Sequence, residues 1–130
     1  MPQNRPMVLV VEDDVEMNAL QREFLSVNGL DSEAAYDGNE AVAAYRRGAA
    51  DAVLLDVMLP ELDGFEACRQ IRALNHGRVP IILLTALDSD ECRQRGFDAG
   101  ADAYFTKPFN PDEVVSALHR LIRASHPEQA

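Results

Sequence analysis

Ala52-Val53-Leu54-Leu55-Asp56 decides how this chain folds: an unbroken apolar run ends on an acid. A strand covered on both faces is apolar throughout, whereas a half-exposed strand alternates. The run therefore reads as a strand buried inside a parallel sheet. Three other stretches repeat the design. Val8-Leu9-Val10-Val11 runs into Glu12-Asp13-Asp14, Ile81-Ile82-Leu83-Leu84 into Thr85, and Tyr104-Phe105-Thr106 into Lys107-Pro108. In an open parallel sheet, ligands bind at the carboxyl ends of the strands. The acids, the Thr85 hydroxyl and the Lys107 ammonium are therefore expected along one sheet edge, a set suited to phosphoryl chemistry.

Helical signals separate the strands. Met17, Leu20, Phe24 and Val27 recur at three- and four-residue steps and mark the face of a first helix, which Asn28-Gly29 stops. Asp31 to Ala35 reads as a weak second strand towards the flank of the sheet. Asp37-Gly38-Asn39-Glu40 caps a second helix carrying Ala41, Val42, Ala44 and Tyr45, which ends at Gly48. A third helix follows Asp63-Gly64 and presents Phe65, Cys68, Ile71 and Leu74. Asp88, with Glu91 three residues on, reads as the capping box of a fourth, ending near Gly96 to Gly100. Asn110-Pro111-Asp112-Glu113 starts the fifth, with an Asn cap, Pro at the first helical position, and a face of Val114, Leu118, Leu121 and Ile122. Strands alternating with helices make the class α/β with a parallel sheet. The expected organisation is one domain over residues 1–130, with its core at about 7–124 and a frayed tail from about Ser125.

Composition bounds the function classes. At 130 residues the chain is long enough for a single core, and its 47% hydrophobic content is that of a globular protein. The formal net charge is −10, and the Lys and Arg residues are scattered. Direct nucleic-acid binding needs a basic patch, so none is expected. No stretch reaches the roughly eighteen apolar residues of a membrane span, and no secretory signal pattern opens the chain. A cytoplasmic protein without membrane attachment is the expectation. Cys68 and Cys92 lack metal-ligand spacing and lie in helical segments, which favours free thiols over a disulfide.

Taken one at a time, the strand-end residues have ordinary explanations. Glu12-Asp13-Asp14 serves equally as a solvated turn or helix cap, Asp56 as an inert cap, Thr85 as a β-prone strand end, and Lys107 as a surface lysine. Their convergence on one edge is what argues for a site. Crowded carboxylates repel, and a hard divalent cation relieves the repulsion. Mg2+ takes one or two protein carboxylates together with waters and phosphoryl oxygens. A cis peptide before Pro108 would aim the Lys107 ammonium back into the cleft, although cis is the minority state of such bonds.

The motifs Val10-Val11-Glu12-Asp13-Asp14, Leu54-Leu55-Asp56-Val57-Met58-Leu59-Pro60, Asp63-Gly64-Phe65, Leu84-Thr85-Ala86, Gly100-Ala101-Asp102-Ala103-Tyr104 and Thr106-Lys107-Pro108-Phe109 follow one another in a telling order. In order and spacing the chain resembles the receiver domain of bacterial two-component response regulators, from about Met7 to Ala124. The resemblance implies a flavodoxin-like (βα)5 fold, a doubly wound parallel sheet with strand order 2-1-3-4-5. It implies that Asp56 accepts a phosphoryl group from a sensor histidine kinase or phosphotransfer protein. Asp13 would ligate Mg2+ directly, Glu12 through a bound water, and Met58 through its backbone carbonyl, with Asp56 completing the set. Asp14 lies one place beyond the usual acidic pair and is expected to cap the first helix. Thr85 would hydrogen-bond one phosphoryl oxygen, and Lys107 would pair with another. These roles suit phosphoryl transfer, which asks the protein mainly to align the nucleophile and offset charge on the oxygens.

The resemblance also implies an output. If Thr85 moves inward it vacates space for Tyr104, and the surface of the fourth helix, fifth strand and fifth helix changes. The subfamily fused to winged-helix transcription factors dimerises through that face. Asp102 and Glu113 fit its charge pattern, whereas Ala117 stands where an arginine is usual. Receivers tune the lifetime of the phosphoryl group two residues after the phosphorylated Asp and two after the Thr. Those places are Met58 and Leu87, whose apolar side chains would hinder an attacking water. Slow self-dephosphorylation is the expectation, with no turnover on an external substrate.

Rival classes fail on particular residues. A haloacid-dehalogenase-type phosphatase needs a second acid two places after its nucleophile, where Met58 stands. A flavodoxin-like FMN binder needs a Ser/Thr/Gly-rich phosphate loop after the first strand, and Glu12-Asp13-Asp14 would repel the anion. A receiver that only binds partners is disfavoured because every phosphorylation residue is present.

Overall fold

The computed structural model describes residues 5–59, 62–74 and 79–125. Pro60 of the motif after Asp56 and the tail expected to fray beyond Ser125 lie outside the described residues. Strands β1 (Met7–Val11), β2 (Asp31–Ala35), β3 (Ala52–Asp56), β4 (Ile81–Thr85) and β5 (Ala103–Thr106) alternate with helices α1 (Val15–Val27), α2 (Gly38–Arg46), α3 (Gly64–Leu74), α4 (Asp90–Asp98) and α5 (Pro111–Ser125). The strands form one parallel sheet in the order β2-β1-β3-β4-β5, the topology the resemblance implies. β2 is the flanking strand, as its weaker apolar pattern suggests.

The continuous apolar runs follow from burial on both faces. Leu9, Val11, Val53, Leu55, Ile81 and Leu83 point into a core shared with Ala41, Tyr45, Phe65, Cys68 and Ile71 of α2 and α3. The alternate residues Val8, Val10, Leu54, Ile82 and Leu84 meet Leu25 of α1 and Val114, Leu118 and Ile122 of α5. Successive strand side chains point to opposite faces, so both sets must be apolar.

The helix ends are set by local chemistry. Asp14 caps α1 by accepting from the Met17 N–H at 3.0 Å, and Asp37 caps α2 by accepting from the Glu40 N–H at 2.8 Å. Asn110 accepts from the Asp112 N–H at 2.9 Å at the start of α5. α4 corrects the expectation: its cap is Ser89, whose hydroxyl accepts from the Cys92 N–H at 3.1 Å, not Asp88 one residue earlier.

α1 carries a larger correction. Of the stripe expected to face the core, Leu20 is 59%, Val27 75% and Met17 37% exposed, and Phe24 is half-buried. The buried face is Asn18 and Leu25 instead. One residue turns a helix by roughly 100°, so the apolar stripe is rotated by that much away from the sheet. Met17, Leu20 and Phe24 line an open apolar groove of about 250 Å³, opposite Phe109 and Pro111, Val114 and Val115 of α5.

Gly64, at the start of α3, is required by close approach. Its N–H donates to the Val57 carbonyl at 2.8 Å, and an added Cβ would lie 2.4 Å from the Val57 Cα and 2.5 Å from the Asp56 carbonyl oxygen. Both obstacles are backbone, so the β3–α3 connection would have to shift. Gly64→Ala is therefore expected to destabilise the fold by about 1–3 kcal/mol, the usual cost of overpacking. Urea unfolding checks this, and an unchanged midpoint would mean that the loop yields freely.

Candidate functional site

The site is a consequence of strand register. Val11 pairs with Leu55, Asp56 with Leu84, and Thr85 with Thr106. Glu12, one residue past Val11, is thus level with Asp56. Thr85 lies one residue beyond the partner of Asp56, and Lys107 one residue beyond the partner of Thr85. A single parallel edge therefore collects Glu12, Asp13, Asp56, Thr85 and Lys107, as their positions in sequence suggest.

Lys107 holds the cleft together. Its Nζ donates to Asp56 Oδ2 at 2.8 Å and to Glu12 Oε1 at 3.0 Å, spanning both ends of the chain. The Lys107–Pro108 peptide is cis. The other Asp56 oxygen, Oδ1, accepts the Met58 N–H at 3.0 Å, so both carboxylate oxygens are oriented. Glu12 Oε2 accepts the Asp14 N–H at 3.2 Å. Asp13 is exposed beside them, and Glu12, Asp13 and Asp56 each offer an oxygen within 4.8 Å of the others. Hard oxygen donors gathered at that spacing fit a divalent cation such as Mg2+. The Met58 side chain stands exposed at the rim.

The electrostatics of the cleft turn on Glu12 and Lys107. Burial raises the Glu12 pKa above its ordinary 4.5, against the lowering by the Lys107 ammonium and the Asp14 N–H, and the nearby Asp56 charge raises it further. Burial alone would lower the Lys107 pKa, but its hydrogen bonds to Asp56 and Glu12 outweigh that and raise it above 10.5. Lys107 is thus charged throughout the neutral range. Outside the cleft, Cys68 is buried in the core, and burial pushes its thiol up to about 11. Such a thiol is unreactive.

A hydrogen-bond chain leads from the cleft to the α4 side. The Leu87 N–H donates to Thr85 Oγ1 at 3.2 Å, and the Leu87 carbonyl accepts from the Tyr104 hydroxyl at 2.7 Å. Tyr104 is only 7% exposed, so its ring already lies inward while Thr85 is fully buried. The ring fits because α4 passes it with Gly96, where a Cβ would come within 2.9 Å of Tyr104 Cδ2. Arg93 of α4 lies over the same ring at 5.2 Å. Of the charges expected on this face, Asp102 is engaged within the chain: its Oδ2 accepts from Arg72 at 2.8 Å and from the Ile81 N–H at 2.9 Å. Ala117 is buried.

Asn18 escaped the sequence reading altogether. It is a buried amide on α1, directly behind the acidic loop. Nothing in the periodicity of a helix marks such a residue, because its partners come from β1, the loop and β2.

Comparisons with known proteins agree with this geometry. The family model described as "Response regulator receiver domain" matches residues 8–119. Response regulator MprA of Mycobacterium tuberculosis is 45% identical over 123 residues, which cover 95% of this chain and 53% of that protein. The chain thus spans about half the length of the curated relatives it matches. The structure of the Francisella response regulator 1452 receiver domain superposes with a TM-score of 0.86 at 35% identity, covering 92% of this chain and 98% of that one. The receiver domain of sensor histidine kinase PA1611 from Pseudomonas aeruginosa, solved with a magnesium ion coordinated in its active-site cleft, gives a TM-score of 0.83 at 38% identity. It covers 91% of this chain and 98% of its own.

The raised pKa of Glu12 has a consequence for stability. A carboxyl whose pKa is higher in the folded state favours folding when protonated, and that contribution is lost as pH rises through the folded-state pKa. At pH 7 ionised Glu12 therefore costs the metal-free protein stability. Glu12→Gln is expected to unfold at higher urea concentration than the wild type at pH 7 without metal. The gap should close as pH falls towards 4.5. A less stable Glu12→Gln at pH 7 would show that the Lys107 pairing outweighs burial.

Proposed function

The chain belongs to the response-regulator receiver family, and from that premise we propose that Asp56 accepts a phosphoryl group from a histidine kinase or phosphotransfer protein in a Mg2+-dependent reaction. The observation that carries this reading is the Lys107 bridge, an ammonium within hydrogen-bond distance of both Asp56 and Glu12. Asp56 Oδ2 attacks phosphorus, the bond from phosphorus to the donor's imidazole nitrogen breaks, and the electron pair leaves with the imidazole. The Met58 N–H on Oδ1 keeps the carboxylate aligned for that attack. Lys107 pairs with a phosphoryl oxygen as charge moves onto the group, and the Thr85 hydroxyl hydrogen-bonds another. Asp13 and Asp56 would hold the cation directly, Glu12 through a water, and Met58 through its carbonyl. When bound, the cation offsets the charge of the acids and of the phosphoryl oxygens.

The donor protein docks beside the cleft, on the apolar stripe of α1. Asp14, which caps α1, adjoins the acidic loop, and Phe109 of the groove follows Lys107 by two residues. An exposed apolar surface next to an acceptor site suits a partner that must bring its phosphohistidine to Asp56. Output runs through the Thr85–Leu87–Tyr104 chain to the α4–β5–α5 face, which controls a partner, a fused domain or a second copy of the chain. Because Tyr104 already lies inward, the change at Asp56 is felt through Leu87 and the β4–α4 loop, not through a ring swinging into vacant space.

Met58 and Leu87 set the lifetime of the phosphoryl group by denying water an oriented approach. Incubation with acetyl phosphate and Mg2+ is expected to add one phosphoryl group by intact mass, absent in Asp56→Asn and without metal. Met58→Asn should shorten the lifetime of the adduct severalfold. An adduct retained in Asp56→Asn would refute the acceptor assignment, and an unchanged or longer lifetime in Met58→Asn would refute the role of Met58.

A further inference from the structure

Asn18 is fully buried on α1, yet every polar atom of its side chain is occupied. Its Nδ2 lies 3.2 Å from the Val10 carbonyl, 3.1 Å from the Glu12 carbonyl and 3.2 Å from the Ala35 carbonyl. Its Oδ1 accepts from Arg22 Nε at 2.7 Å. Carbonyls on one side and an N–H on the other dictate which way the amide faces. A carboxylate or an alkyl group of the same size would remove the side-chain donor that these carbonyls share. The Ala35 carbonyl also accepts the Glu12 N–H at 3.1 Å, so the amide ties the ends of β1 and β2 to the acidic loop.

The Glu12 carbonyl is the decisive partner. It belongs to the peptide unit between Glu12 and Asp13, and a peptide unit is planar. Holding that oxygen restrains the orientation of the plane, and with it the positions of the two flanking Cα atoms that carry these side chains. Glu12 turns into the cleft, where Lys107 meets it, and Asp13 stands at the exposed rim within 4.8 Å of Asp56. We propose that Asn18 is a positioning residue for the divalent-cation site: it fixes the Glu12–Asp13 peptide so that both carboxylates are presented together, without touching the cation itself. Hydrogen-bond partners of metal ligands typically account for about 10–100-fold in metal affinity.

The inference rests on the reading that these acids bind Mg2+, and its test separates the two. The Mg2+ dissociation constant is measured by calorimetry for the wild type, for Asn18→Leu, and for Leu25→Ala on the same buried face of α1. A thermal melt in chelator reports on folding for each. Asn18→Leu is expected to bind Mg2+ about 10–100-fold more weakly. Leu25→Ala should lose stability and keep wild-type affinity. Wild-type affinity in Asn18→Leu, or an equal loss in both variants, would overturn the inference while leaving the cation site standing. No Mg2+ binding by the wild type would overturn the cation site and the inference with it. Asn18→Ser retains one donor and provides the same reading should Asn18→Leu fail to fold: an intermediate affinity supports the inference, and an unchanged one overturns it.

Discussion

The Lys107 ammonium joins Asp56 at 2.8 Å to Glu12 at 3.0 Å, and much of the fold exists to make that contact possible. The three residues come from three strands far apart in sequence. Parallel pairing brings the carboxyl ends of those strands to one edge, and the order β2-β1-β3-β4-β5 sets β3 between β1 and β4, with β5 next to β4. Antiparallel pairing of any central strand would send its terminal residue to the opposite edge. The two apolar layers that flank the sheet hold this register, because a one-residue slip would exchange the side chains facing each layer.

Around that contact the site is built under electrostatic tension. Buried Glu12 and Asp56 and exposed Asp13 are closer together than acids favour, and burial raises the Glu12 pKa. One lysine answers only part of the charge. On the proposed function a divalent cation would supply the remainder, and a phosphoryl group on Asp56 would then give Lys107 and Thr85 new acceptors. Cleft and surface are connected by short steps: Thr85 to Leu87 to Tyr104 towards α4, and the acidic loop to Asn18 to Arg22 along α1.

The strands, and the polar residues that gather at their carboxyl edge, were legible because burial on both faces leaves a plain signature, a run of apolar residues that stops where the sheet edge meets solvent. Strand order was not legible from pattern alone, since every central strand carries the same signature, and it came from the likeness to a family. The face of α1 was misread for a physical reason. Periodicity shows that Met17, Leu20, Phe24 and Val27 share a stripe but not which surface the stripe meets, and the face turned to the sheet carries Asn18 and Leu25. Asp88 and Ser89 are adjacent residues of cap-forming type, so a short motif could not separate them; the Ser89 hydroxyl reaching the Cys92 N–H decided it. Asn18 itself was invisible because its acceptors lie as far as seventeen residues away, at Ala35.

The account turns on Lys107 holding positive charge against Asp56 and Glu12 until cation and phosphoryl group arrive. The most direct measurement is the position of Lys107 Nζ in a crystal structure with Mg2+ and a beryllium fluoride adduct in the cleft. The account predicts that the ammonium pairs with the adduct on Asp56, while Glu12 leaves it and turns towards the cation. An ammonium still bonded to Glu12, with the cation bound away from Asp13 and Asp56, would contradict it.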